Sequence, residues 1–179
     1  THRRSSAASD VYKRQHFTKD VLSIWKVYAP NGDFLYKVDL PGKGIVNGFN
    51  GHLTDKITWY SFNNLVTPKE IYQYNIQNNK SKIYKRSHAK FENEKYEMRQ
   101  EFYISKDSTM IPIFIAHRKD LAFDMERPTL LYGYGGFNIA VKPYFNKSNI
   151  ILLESGGVFA SANIRGGGEY GQELSLIHI

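Results

Sequence analysis

Between Val21 and Arg86 short apolar stretches alternate with turn residues, and no 3.6-residue period develops. VLSIWKVYA (21–29) alternates in part and is rich in β-branched and aromatic residues. The PNGD that follows is a tight-hairpin signal, because Asn31 and Gly32 both tolerate positive φ. FLYKVDL (34–40) is the expected partner strand, while PGKG (41–44) and the Gly48–Gly51 region read as loops. KITWYSF (56–62), EIYQYNI (70–76) and NNKSKIYKR (78–86) supply three more strands, with a turn at Asn78-Asn79. Five short strands spaced roughly 10–15 residues apart predict meander sheets, as in a sandwich, barrel or propeller. Fewer than two four-stranded units fit this length, so the region is not expected to close a fold alone.

After the charged stretch FENEKYEMR (91–99) the pattern changes. RQEFYISKDSTMIPIFIAH predicts a hairpin around Lys106–Thr109, although Ser108 supplies positive φ less readily than glycine. Pro128 introduces PTLLYGY, a continuous apolar strand of the kind buried on both faces of a parallel sheet. PYFNKSNIILLES (143–155) predicts a helix with Pro143 in its first turn and Tyr144, Ile151 and Leu152 on one face. Gly156-Gly157 ends it, and VFASANI (158–164) reads as a second buried strand. Strand, glycine loop, helix, strand is a βαβ unit with a parallel sheet. A boundary from all-β to α/β is therefore expected near residue 95.

The two ends do not fit this grammar. THRRSSAASDVYKRQ (1–15) has no hydrophobic periodicity and no amphipathic apolar face, and it changes character at His16. LSLIHI (174–179) follows a glycine-rich stretch without a cap. Both are expected to be non-native tails and are left out of the predicted fold, which leaves residues 16–94 and 95–173 as the two native parts of a piece of a longer protein.

Composition narrows the function. With 41% hydrophobic and 23% charged residues in 179, the chain suits globular domains rather than a disordered segment. The absence of cysteine excludes disulfides, thiolate metal sites and a cysteine nucleophile, and it points to a cytoplasmic protein, with a periplasmic or exported parent as the alternative. No apolar run reaches the roughly 18 residues a membrane helix needs. The net charge of +7 suggests nucleic acid at first, but Arg3, Arg4, Lys13 and Arg14 against Asp10 put three of those charges in the first 15 residues. The next basic run, Lys80, Lys82, Lys85, Arg86 and Lys90, fits a solvated hairpin edge, where lysines discourage edge pairing. Neither a nucleic acid nor a membrane is expected as a partner.

Candidate chemistry is sparse. His52, His88 and His117 stand alone, Glu92 and Glu94 sit in a solvated stretch, and no metal-ligand spacing occurs, so neither a metal nor a cofactor is expected. Gly166 to Gly171 matches G-x-G-x-x-G after a strand, but Glu169 would repel a pyrophosphate there. The segment LYGYGGFN (131–138) is more informative. Gly133, Gly135 and Gly136 allow a sharp turn and close substrate approach at the end of a sheet strand, where α/β-hydrolases build part of an oxyanion hole. Tyr134 would then offer a phenol to a developing oxyanion, a donor whose removal costs about 3–4 kcal/mol in the barrier. Phe137 would form an apolar wall. The same spacing also fits a tight turn between core aromatics.

PTLLYGYGGFN (128–138) together with GGVFASANIRGGGEYGQE (156–173) resembles the prolyl oligopeptidase family, the prolyl endopeptidase branch of serine peptidase family S9. SKDSTMIPIFIAHRK (105–119) and FNNLVTPKEIY (62–72) are similar to the same family, so the likeness runs from about His16 to Glu173. It implies a β-propeller fragment, the last blade or so (16–94), followed by the first part of an α/β-hydrolase catalytic domain (95–173). It implies a monomeric serine-type endopeptidase that cleaves short proline-containing peptides after proline through an acyl-enzyme. It implies Tyr134 as the oxyanion-hole tyrosine and Phe137 as a substrate-binding wall of the proline pocket, with Arg165 and Glu169 as structural residues. The chain departs from the family in having no G-x-S-x-G; Ser155 lies in LLESGG, and His178 falls in the expected tail. Nucleophile, acid and base are thus missing from these 179 residues, which are expected to be inactive. The alternative is a β-rich binding or interaction module with a vestigial α/β portion.

Overall fold

The computed structural model describes residues 3–8 (backbone only), 13–52, 55–122, 124 and 126–169. The chain divides into two compact units, residues 1–63 with 69–88, and residues 64–68 with 89–179.

Among the described residues the first unit holds eight strands: β1 (Arg3–Ala8), β2 (Lys13–Lys19), β3 (Leu22–Tyr28), β4 (Phe34–Lys37), β5 (Ile45–Asn50), β6 (Ile57–Asn63), β7 (Glu70–Asn75) and β8 (Lys80–Lys85). They form two four-stranded antiparallel meanders, β1-β2-β3-β4 and β5-β6-β7-β8. Residues 21–86 hold six of these strands, β3 to β8, one more than expected and still fewer than two four-stranded units; β1 and the start of β2 come from residues left out of the predicted fold. Residues 13–15, left out of the predicted fold, continue β2 and pair with β3, and Arg14 and Gln15 are buried. Residues 45–50 form a strand that runs into the Gly48–Gly51 region expected to be loop, because Gly48 (φ +128) and Phe49 (φ +60) make a bulge that shifts the register against β6 without ending it. A β-carbon on Gly48 would stand 2.7 Å from the Trp59 carbonyl, so this crossing requires glycine.

Aromatic side chains from both sheets form the core. Phe49 lies 4.6 Å from Trp25, stacks on Tyr60 at 4.7 Å and meets Tyr74 edge-on at 5.3 Å, while Tyr60 stacks on Tyr72 at 5.2 Å. Val27, Val38, Val46 and Phe62 fill the remainder. Rings of this size carry much of the burial energy of a small sheet unit. The carboxylate of Glu70 is buried with them; it accepts the Tyr72 hydroxyl at 2.7 Å and pairs with Arg86 at 3.4 Å. Burial first, and then this hydrogen bond, push the Tyr72 phenol up from its ordinary range. Lys80, Lys82 and Lys85 lie exposed on β8, the edge of its sheet.

In the second unit β9 (Tyr96–Ile104) and β10 (Met110–Arg118) form the expected hairpin, with Ser108 at φ +68 in its turn. β11 (Thr129–Gly133), helix α1 (Ser148–Glu154) and β12 (Val158–Ala162) complete a βαβ unit, with β11 and β12 parallel. The sheet order is β11-β12-β10-β9, and β12 runs antiparallel to β10, so the sheet is mixed. Two expectations need correction. β11 is not buried on both faces: it is the edge strand, and Leu131 is 66% exposed. The helix does not start at Pro143, because Asn146 Oδ1 accepts the Ser148 N–H at 3.0 Å and sets the first turn there. Its buried face is Asn149 and Leu153 rather than Tyr144, Ile151 and Leu152, and Ile151 is 73% exposed. Phe145 is held instead against Phe91, with ring centroids 5.8 Å apart.

Candidate functional site

β11 and β12 pair from Thr129↔Val158 to Gly133↔Ala162, so the two parallel strands end together. The carboxyl edge of such a pair is where α/β sheets gather ligand-binding loops. Two glycine-rich loops leave it, residues 134–142 after β11 and residues 163–169 after β12, and they interlock. A β-carbon on Gly135 would collide with the Arg165 carbonyl, and one on Gly168 would collide with the Asn138 carbonyl. Asn138 N–H donates to Gly166 O at 3.0 Å, and Ile139 N–H closes a turn onto Gly136 O at 3.0 Å. Gly135 (φ +56), Phe137 (φ +52) and Asn138 (φ +55) are all left-handed. For Phe137 that conformation costs roughly 1–2 kcal/mol, whereas asparagine tolerates it.

Side chains fix the rest of the loop. Glu169 Oε1 accepts both the Val141 N–H at 3.0 Å and the Asn163 Nδ2–H at 2.9 Å. The same Asn163 amide also donates to the Val141 carbonyl at 2.7 Å. Asn163 is fully buried, and its own N–H donates to Pro112 O at 3.0 Å. On the other side of the loop Arg165 forms an ion pair with Asp107 and donates to Ser105 Oγ at 3.3 Å. That Arg165 hydrogen bond holds the Asp107 carboxyl down at about 2. A cavity of about 390 Å³ opens between Tyr103, Ser105, Ile111, Gly135, Ile164 and Arg165.

The residues singled out from the sequence take these places. Tyr134 is 46% exposed, with its ring over Gly136, 3.6 Å from where a β-carbon would stand. Phe137, three residues on in the same loop, is 89% exposed. Neither lines the cavity. Ser155 Oγ donates to the Ile151 carbonyl at 2.8 Å at the end of α1 and does not sit on a strand-to-helix elbow. His117 is buried in β10; Nδ1 faces the Arg118 carbonyl at 2.7 Å and so carries the proton, leaving Nε2 to accept from Arg99 at 2.8 Å. It is a satisfied core histidine. Glu169 keeps a structural position, as a loop clasp. Tyr170 and Gly171 of the G-x-G-x-x-G match, and the 174–179 tail with His178, lie outside the described residues. Among the described residues no group of three or more His, Asp or Glu could hold a metal, and no helix is long and apolar enough to cross a membrane. The contributions of Asn163 and Asp107 carry no sequence signal, because both depend on contacts across the sheet.

Comparison with known proteins bears on this arrangement. Residues 15–87 match the family described as "Prolyl oligopeptidase, N-terminal beta-propeller domain". The chain is 44% identical over 157 residues to the prolyl endopeptidase of Elizabethkingia meningoseptica, a match covering 88% of this chain and 22% of that protein. The chain belongs to the prolyl oligopeptidase family. Within that family it is also 40% identical over 160 residues to the prolyl endopeptidase of Dictyostelium discoideum, covering 87% of this chain and 21% of the relative. The solved structure of prolyl oligopeptidase B from Galerina marginata superimposes with a TM-score of 0.84 at 26% identity, over 96% of this chain and 25% of that one. The chain thus spans about a fifth of the length of the prolyl endopeptidases it matches. The family match spans β2 to β8, all but the first strand of the two meander sheets.

Proposed function

We propose that this chain is part of a serine-type endopeptidase that hydrolyses short peptides after proline. In this reading residues 16–94 are the C-terminal part of the propeller and residues 95–173 the N-terminal part of an α/β-hydrolase domain. The observation that carries it is the 44% identity to a prolyl endopeptidase over 88% of the chain, a span that necessarily includes the 131–138 loop. The βαβ unit and the glycine loop at its carboxyl edge support the hydrolase assignment.

The chemistry would run through an acyl-enzyme. A serine hydroxyl attacks the carbonyl that follows the proline ring, its proton passes to a histidine, and negative charge gathers on the carbonyl oxygen. Tyr134 would donate its phenolic O–H to that oxygen. Phe137 would offer its open face to the proline ring. The 179 residues contain no G-x-S-x-G elbow, so this chain alone would not turn over substrate. The reading also includes short proline-containing peptides as partners and a monomeric, cytoplasmic parent.

The test compares the complete protein with the 179-residue chain on a Gly-Pro chromogenic peptide and its Gly-Ala counterpart. The complete protein should cleave the proline substrate selectively, and the 179-residue chain should cleave neither. Turnover by the 179-residue chain, or loss of proline preference in the complete protein, would overturn the proposal.

A further inference from the structure

We propose that Glu169, acting with Asn163, is a positioning residue that holds the 134–142 loop in the conformation presenting Tyr134; the inference rests on the oxyanion reading above. Both backbone groups of Val141 are taken by side chains, its N–H by Glu169 and its carbonyl by Asn163, at 3.0 and 2.7 Å. The two side chains bond each other at 2.9 Å. Together they imitate a strand partner for a residue that lies in no strand. The loop needs such help. Phe137 occupies a left-handed conformation that its side chain disfavours, so the surrounding structure has to impose it.

Stability alone does not account for the pair. Asn163 Oδ1 and Glu169 Oε2 are buried with no hydrogen-bond partner among the described residues. An acceptor buried in that way is a net cost. A plain apolar contact would hold the two loops together without it. A carboxylate gives something an apolar contact lacks: short, directional, charge-assisted bonds that fix one backbone geometry. Tyr134 opens the clasped loop, and its ring stands 3.6 Å from where a β-carbon on Gly136 would be, so the path of the loop sets where the phenol lies.

The experiment uses the complete enzyme and the variants Glu169→Ala, Glu169→Gln, Tyr134→Phe and the Glu169→Ala, Tyr134→Phe double variant. Glu169→Ala should lower kcat about 10–100-fold, as expected for a catalytic group displaced by about an ångström. KM should stay within about threefold, because the loss falls on the transition state. Glu169→Gln keeps an oxygen that accepts both donors and should restore most of the rate. On the Tyr134→Phe background, Glu169→Ala should cost little further, since residues acting as a unit are not additive. An equal loss on both backgrounds, or an unchanged kcat in Glu169→Ala, overturns the proposal while the oxyanion reading stands. If Tyr134→Phe itself leaves kcat unchanged, both readings fall. Should Glu169→Ala fail to fold, Glu169→Asp retracts the carboxylate by one methylene and is held to the same outcomes.

Discussion

Gly135 lies against the carbonyl of Arg165 with no room for a β-carbon, and its φ of +56 is one that alanine resists. Steric and conformational terms therefore act in the same direction. Gly135→Ala should destabilise the protein by at least about 1–2 kcal/mol. Denaturant unfolding checks this: the midpoint should fall with an unchanged slope. An unchanged midpoint would mean that the two loops do not meet as described.

The Asp107–Arg165 pair ties the β9–β10 turn to the loop after β12. Its pH dependence has a definite sign. The Asp107 carboxyl is lowered from 3.8 to about 2 by the Arg165 hydrogen bond. A lowered carboxyl contributes stability that is present above 3.8 and is lost as pH falls towards about 2. The difference in Tm between the wild type and Asp107→Asn should therefore be level above about pH 5 and close on acidification towards about 2. A difference independent of pH would contradict the ion pair.

Glu70 shows how the propeller part depends on a buried charge. Removing its carboxylate leaves the Tyr72 hydroxyl buried without its acceptor. Glu70→Ala should cost about 1–3 kcal/mol, measured by chemical unfolding. Tyr72→Phe on the Glu70→Ala background should recover part of that loss, because it removes the orphaned hydroxyl. A double variant no more stable than Glu70→Ala would contradict this account.

Much of this fold is legible in the sequence where local chemistry decides it. Asn31-Gly32 predicts a hairpin, and the structure bends there with Gly32 at φ +100 and Ala29 N–H bonded to Asp33 O at 2.9 Å. The Lys106–Thr109 turn is equally local. Legibility fails where tertiary packing overrides propensity. Asp20 (φ +50) and Val21 (φ +69) make the β2–β3 turn although a β-branched residue is a poor choice there; Val21 is buried, so packing holds it. The Gly48–Phe49 bulge looks like a loop because its glycine signals a break that the neighbouring strand repairs. Tyr134 and Phe137 can be singled out as candidates because the motif that carries them is local. The clasp that positions them joins residues 141, 163 and 169 and forms only when two parallel strands end side by side.

Tyr134 is proposed to supply an oxyanion donor for proline-directed peptide hydrolysis. The most direct test is kcat of the complete enzyme with Tyr134→Phe, on a Gly-Pro chromogenic peptide at saturating concentration. A fall of about 10²–10³-fold with KM little changed is expected, since phenylalanine keeps the ring and removes only the donor. A Tyr134→Phe enzyme with wild-type kcat would contradict it.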